Sequence, residues 1–233
     1  MAAPMNNLIC AGTTLGKPDR IMDTRRLHWD RIFTHATDDS RLGWYEKDSS
    51  QTLKYLEMTR LSPPATVFLA GAGTSTLADD LLTAGYGLIV NDVSGVALAV
   101  LRDRAGSRGR AAWLEHDLAR PLPDDLPIVD LWIDRAVLHF LLEETEIDAY
   151  FANMQNSVRP GGYVLQAQFS TQAAAKCAGL DLHRYSLDEL CRRVGEQFSL
   201  IHHETYQYTM PGGDLRPYLY ALFKKRTELK DVR

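Results

Sequence analysis

The chain of 233 residues reads as one α/β domain: a seven-stranded, mainly parallel sheet with helices on both faces and an antiparallel C-terminal hairpin. Three observations predict it. Ala65-Thr-Val-Phe-Leu-Ala-Gly-Ala-Gly-Thr-Ser75 has the look of a buried strand running into a glycine turn, and Leu88-Ile-Val-Asn-Asp-Val-Ser94 that of a second buried strand ending in an acid. Strand-like segments then alternate with helical ones, the pattern of parallel crossovers. Finally, the last two strands are separated only by the turn Met210-Pro-Gly-Gly213, too short for a crossover, so they pair antiparallel at the sheet edge.

The elements follow in order. Residues 1 to 20 are small and polar, with scattered Gly and Pro, and are expected to be disordered. Leu27, Trp29, Ile32 and Phe33 suit a short helix, ended by the polar break Thr37-Asp-Asp-Ser40. A second helix runs from about Ser50 to Met58, and Pro63-Pro64 stops it before the strand Thr66 to Ala70. Helix 75 to 84 ends at Gly85, strand 88 to 91 follows, and Ser94 caps a helix reaching about Arg104. Strands 112 to 115 and 129 to 133 precede a helix at 144 to 157. Arg159-Pro-Gly-Gly162 is expected to make a tight turn into strand 163 to 169. After an insertion come helix 186 to 195, with Ser186 and Glu189 as a capping box, and strands 197 to 205 and 217 to 224. The organisation expected is thus a tail (1 to 20), a helical lid segment (21 to 60) and the sheet domain (61 to 233).

Composition narrows the function. Hydrophobic residues at 45% and charged residues at 24% are globular averages, which argues against disorder or a membrane class. A net charge of -4 without a basic stripe speaks against nucleic acid, and Lys224-Lys225-Arg226 reads as a solvated strand end. Cys10, Cys177 and Cys191 show neither paired spacing nor a zinc signature, so no metal is expected and a reducing, cytoplasmic setting fits. No secretory leader and no apolar run near the ~20 residues of a membrane span is visible.

The chemistry clusters at strand ends. Gly71 and Gly73 let backbone approach a ligand closely, and Asp92, about 20 residues on, stands where an acid accepts both ribose hydroxyls. Thr76 replaces the third glycine of a dinucleotide fingerprint, which favours a nucleoside over a pyrophosphate. Asp117, in Leu114-Glu-His-Asp-Leu118, suits an adenine amino group, or equally a helix cap or a solvated acid. Asp134, Arg135 and His139 follow a central strand, where open sheets place ligands. There Asp134 can receive an ammonium, Arg135 can meet a carboxylate or orient Asp134, and His139 is the candidate general base. The alternatives are an ion pair capping the next helix and a packed histidine beside Phe140. Trp29, Trp44 and Tyr45 either cover the core or form a lid whose aromatic faces line a sulfonium site. Cys177, His183, Arg184 and Tyr185 sit in the loop where substrate selectivity would reside.

These residues, in this order, resemble class I S-adenosylmethionine-dependent methyltransferases over about residues 60 to 226. Gly71-Ala-Gly73 is similar to that family's glycine loop, Asp92 to its ribose acid, Asp117-Leu118 to its adenine contact and Arg159-Pro-Gly-Gly162 to the turn before its fifth strand. The strings Asp134-Arg-Ala-Val-Leu-His-Phe-Leu141 and Cys177-Ala-Gly-Leu-Asp-Leu-His-Arg-Tyr-Ser186 resemble a group of small bacterial proteins with a thiopurine-methyltransferase-like domain.

The resemblance implies a Rossmann-like methyltransferase fold and S-adenosylmethionine as cofactor. The cofactor contacts it implies are Trp29, Trp44, Gly71, Ala72, Gly73, Asp92, Val93, Asp117, Leu118 and Asp134. It leaves His139, Asp134 and Arg135 as catalytic candidates and Tyr45, Phe140, Cys177, Arg184 and Tyr185 as substrate contacts. Many family members carry an acid where this chain has Leu69, so holding the methionine end falls to Asp134 or the N-terminal segment. The expected activity is methyl transfer to a small molecule, through a soft sulfur or selenium atom or a nitrogen, by a monomer or homodimer. A protein-lysine methyltransferase and a non-catalytic cofactor-binding subunit are the alternatives.

Overall fold

The computed structural model describes residues 20–227. It opens with helix α1 (Arg20–His35), longer than the short helix expected around Leu27, then a 3-10 turn at Asp39–Arg41 and α2 (Ser50–Thr59). The expectation of disorder before residue 20 lies outside the described residues. The sheet domain runs β1 (Thr66–Ala70), α3 (Leu77–Ala84), β2 (Gly87–Asp92), α4 (Gly95–Ala105), β3 (Arg110–Glu115), β4 (Val129–Arg135), α5 (Glu144–Ser157) and β5 (Val158–Phe169). A two-stranded hairpin, β6 (Lys176–Cys177) and β7 (Leu180–Asp181), fills the insertion. Then come α6 (Leu187–Val194), β8 (Phe198–Thr209) and β9 (Leu215–Lys225).

The seven-stranded sheet has the order β3-β2-β1-β4-β5-β9-β8, with β9 antiparallel to both neighbours, as the hairpin sequence requires. Strand order reverses between β1 and β4, the switch point at which open sheets leave a crevice. Strand parity decides what each face buries. Val67, Leu69, Leu131 and Ile133 pack with α2, α3 and α4, whereas Phe68, Ala70 and Trp132 pack with α5 and α6. Phe68 and Trp132 stack with centroids 4.0 Å apart, joining β1 to β4 on the second face.

The caps behave as their chemistry suggests. Ser94 accepts the Ala97 amide at 3.2 Å, and Gly85 closes α3 at a φ of 94°. Three local expectations are corrected. Arg159-Pro-Gly-Gly162 is not a free turn but a bulge inside β5, where pairing jumps from Val129↔Val158 to Leu131↔Tyr163. The capping box of α6 is half made: Ser186 Oγ accepts the Glu189 amide, but the Glu189 carboxylate turns to His183 and Arg193. Lys225 is not a solvated end, since its Nζ donates to the Gln155 and Val158 carbonyls at the end of α5. No helix among the described residues is long and apolar enough to cross a membrane.

Candidate functional site

A cavity lies at the switch point, over the C-terminal ends of β1, β2 and β4 and beneath α1. Its floor begins at the turn after β1. Gly71 and Gly73 take φ values of 54° and 53°, a region that L side chains disfavour. A Cβ on Gly71 would lie 2.2 Å from Val137 Cγ2, so backbone and the turn after β4 can touch only because no side chain intervenes. Ala72, between the glycines, also lines the cavity.

Asp92 ends β2 and is buried, with Oδ2 accepting the Gly73 amide and Oδ1 the Ser94 amide, each at 2.8 Å. A carboxylate offers about four lone-pair positions, and the neighbouring backbone amides of Gly73, Val93 and Ser94 do not fill them all. Burial raises its pKa to about 6, against the pull of these amides. Val93 lines the cavity beside it. Asp117, beyond β3, is buried and lines the cavity with Leu118; it accepts the Ala119 amide and is ion-paired with Arg25 of α1.

The N-terminal segment closes the cavity from above. Arg25 bridges Asp117 and Glu146, the latter at 2.8 Å, and Asp30 accepts the Ser94 hydroxyl at 2.6 Å. Between these polar fastenings Trp29 meets Phe140 edge-on at 5.0 Å and Trp44 at 5.5 Å, and Phe33 lies under Gly73. Trp44 and Tyr45 reach the wall because Arg135 holds their backbone: its Nη1 donates to the Trp44 carbonyl at 3.1 Å. Arg135 Nε lies 3.0 Å from Glu46 Oε1, and the guanidinium sits over the Tyr208 and Tyr218 rings at 5.1 and 5.0 Å. Burial pushes the Glu46 carboxyl up in pKa, partly offset by Arg135.

Neighbouring residues of β4 face opposite ways. Arg135 and Ile133 line the cavity, but Asp134 does not. The Asp134 carboxylate, fully buried, accepts the Val137 and Leu138 amides at 3.0 and 3.1 Å and the Tyr150 hydroxyl at 2.5 Å. Desolvation raises its pKa to about 6. Its expected place on the methionine end of a cofactor is therefore corrected: strand parity turns it to the α5 side, where it fixes the turn carrying Val137, His139 and Phe140. A chain of side chains continues from it. Tyr150 accepts from Trp132 Nε1 and Gln166 Nε2; Gln168 Nε2 donates to Gln166 Oε1; and Gln168 Oε1 accepts the His139 amide at 3.3 Å.

His139 lines the cavity, fully buried between Phe140 and Phe169, with centroids at 4.6 and 4.7 Å. Burial and the Arg135 charge lower its pKa to about 3, so the ring is neutral. Cys177, from β6, also lines the cavity; its thiol pKa is raised by burial.

The structure thus brings Trp29, Trp44, Tyr45, Gly71, Ala72, Gly73, Asp92, Val93, Asp117, Leu118, Arg135, His139, Phe140 and Cys177 to one cavity. It leaves out Asp134, Arg184 and Tyr185. Arg184 is exposed and donates to the Thr171 and Ala173 carbonyls, while Tyr185 is fully buried behind β5, its amide donating to the Phe169 carbonyl at 2.9 Å. Sequence reasoning missed Arg25, Asp30, Phe33 and Glu46. For Arg25 and Phe33 the signal was helical spacing, since Arg25, Trp29 and Phe33 recur every four residues and share one face of α1.

Residues 69–164 match the sequence family described as a methyltransferase domain. No curated protein gave a match. Among solved structures, a methyltransferase from Anabaena variabilis, described as S-adenosylmethionine-dependent, is 13% identical with a TM-score of 0.71, covering 92% of this chain and 99% of its own. A 1,6-didemethyltoxoflavin N1-methyltransferase from Burkholderia thailandensis, solved with its substrate and S-adenosylhomocysteine, is 20% identical with a TM-score of 0.66, covering 93% of each chain. A structure described under the conversion of a disulfide bond into a thioacetal in echinomycin biosynthesis is 20% identical with a TM-score of 0.68, covering 89% of this chain and 95% of that one. Residues 69–164 thus resemble a methyltransferase domain, and the sheet shares the fold of these solved structures.

Proposed function

We propose that this chain moves a methyl group from S-adenosylmethionine to a small molecule, through a soft sulfur or selenium atom or a nitrogen, and that it belongs with the thiopurine-methyltransferase-like group. One observation carries the reading: a buried carboxylate, Asp92, keeps free acceptor positions beside a glycine turn that admits no Cβ. That pairing suits a ribose held close to the backbone. The bound donor supplies an electrophilic methyl on a sulfonium, open to in-line displacement.

The residues divide that task. Asp92 holds the ribose hydroxyls and Asp117 the adenine amino group, while the backbone of Gly71 to Gly73 lies along the methionine part. Trp29, Trp44 and Phe140 surround the sulfonium with aromatic rings, a setting that favours a cation and excludes water. The acceptor lies toward Tyr45, Phe140 and Cys177, with Arg135 holding residues 44 to 46 in place from behind. Residues 21 to 60 act as the lid, and holding the reactants in one dry geometry supplies about 7–11 kcal/mol of the barrier reduction. The protein acts in the cytoplasm as a monomer or homodimer, without a nucleic-acid partner.

The test is incubation with methyl-labelled S-adenosylmethionine, a panel of thiols, selenols and amines, and separately cell extract. Label on small molecules is expected. Label confined to a protein band would overturn the small-molecule reading.

A further inference from the structure

Among the side chains of the cavity, His139 combines two features. Its ring is fully buried, and its Nε2 has no hydrogen-bond partner among the described residues. A native interior rarely leaves such an atom unmatched, so an orphan on a ligand cavity points to a partner that arrives with the ligand. What that partner must be follows from the other ring nitrogen. The Phe169 amide donates to His139 Nδ1 at 3.3 Å. An amide N–H can only donate, so Nδ1 is the unprotonated nitrogen, and in a neutral ring the hydrogen sits on Nε2.

We infer that His139 serves the site as a fixed hydrogen-bond donor through Nε2–H, reading an acceptor atom of the substrate, such as a carbonyl oxygen, next to the reacting centre. This rests on the methyl-transfer reading for the identity of the ligand. It replaces the general-base role expected from the sequence, because a nitrogen that carries the hydrogen cannot also remove one. The surroundings hold the ring in this state. Arg135 and burial oppose a charge, and the Gln168 oxygen, which favours one, already accepts the His139 backbone amide. Of the other ionisable groups on the cavity wall, Glu46 is paired with Arg135 and Asp117 with Arg25, Asp92 accepts backbone amides, His116 Nε2 lies 3.4 Å from the Arg120 carbonyl, Tyr218 lies against the Arg135 guanidinium, and burial holds the Cys177 thiol up in pKa. The substrate class is accordingly a nucleophile that reaches the site needing no proton removed by His139, with an acceptor group beside it.

The experiment is nitrogen-15 NMR of histidine-labelled protein, with His139→Gln to assign the signal, in the presence of S-adenosylhomocysteine. Expected are an unprotonated Nδ1, a proton on Nε2 and no titration between pH 5 and 8. A proton on Nδ1, or titration within that window, overturns the donor assignment. Two probes then test the substrate class: 2-mercaptobenzamide, a thiol with a neighbouring carbonyl, and thiophenol, which lacks one. The Nε2–H resonance should move with the first and not the second. Equal movement with both, or with neither, overturns the acceptor requirement. Calorimetry with S-adenosylhomocysteine separates the two ideas, since absence of binding refutes the methyl-donor reading while leaving the ring state measurable.

Discussion

Replacing Asp92 with Asn probes the cofactor reading most directly. The carboxylate accepts the Gly73 and Ser94 amides at 2.8 Å. An amide side chain keeps one acceptor oxygen and turns N–H toward the other backbone N–H. One buried donor is then unmatched, which costs about 1–3 kcal/mol. Set against that, burial raises the Asp92 pKa from 3.8 to about 6, equivalent to about 3 kcal/mol against the charged form at neutral pH, and Asn is free of this cost. The two effects offset, so the unliganded variant should melt close to the wild type.

Ligand affinity has no such compensation. Losing a charged acceptor for ribose costs about 1.5–3 kcal/mol, a factor of roughly 10 to 150 in Kd. The sign with pH follows from the raised pKa. The unliganded protein holds the Asp92 proton below about pH 6, and binding that needs the carboxylate must release it. Wild-type affinity for S-adenosylhomocysteine should therefore be flat above pH 7 and weaken below 6, by up to about tenfold per pH unit. The variant should lack this slope. Calorimetry from pH 5 to 8 measures both; unchanged affinity in the variant, or a slope it shares with the wild type, would refute the assignment of Asp92 to ribose.

Gly71→Ala should lower stability by about 1–3 kcal/mol and abolish cofactor binding, because its Cβ would lie 2.2 Å from Val137 Cγ2 at a φ of 54°; a thermal melt with and without S-adenosylhomocysteine reads both. Arg25→Met should speed amide hydrogen exchange across α1 several-fold while leaving β1 and β4 protected, since it removes the contacts to Asp117 and Glu146. Asp134→Ala leaves three buried donors unmatched, at about 1–3 kcal/mol each, against about 3 kcal/mol of burial cost relieved with a pKa of about 6, so a net loss of about 3 kcal/mol in denaturant unfolding is expected; a shift below 1 kcal/mol would count against its role in fixing the turn.

The sheet, its order of elements and the glycine turn were legible because each rests on local pattern: apolar runs, breakers at 63 and 85, and an acid ending β2. Asp134 was misread for a reason that pattern contained. Val129 to Arg135 is a strand, so residues 134 and 135 must face opposite sides, and the register Leu69↔Ile133 puts Arg135 rather than Asp134 on the cavity side. Arg184 and Tyr185 were beyond such reasoning, because the conformation of an insertion depends on the sheet it lands on: Tyr185 bridges to Ser170 and buries its ring. Glu46 was equally opaque. Its partner Arg135 is 89 positions away in sequence, and only folding makes the pair.

The polar chain from Trp132 and Tyr150 through Gln166 and Gln168 to the His139 amide runs across the sheet's far side. Helix α5 contributes Tyr150 to it and, through the Gln166 amide at 3.9 Å, the Met154 sulfur, so a tilt of that helix is passed on to the turn that aims the imidazole. On the proposed function, selectivity for the methyl acceptor is therefore tunable from positions that never meet it. Directed evolution for the proposed activity should find useful changes around Ile147, Tyr150 and Met154 as readily as on the cavity wall.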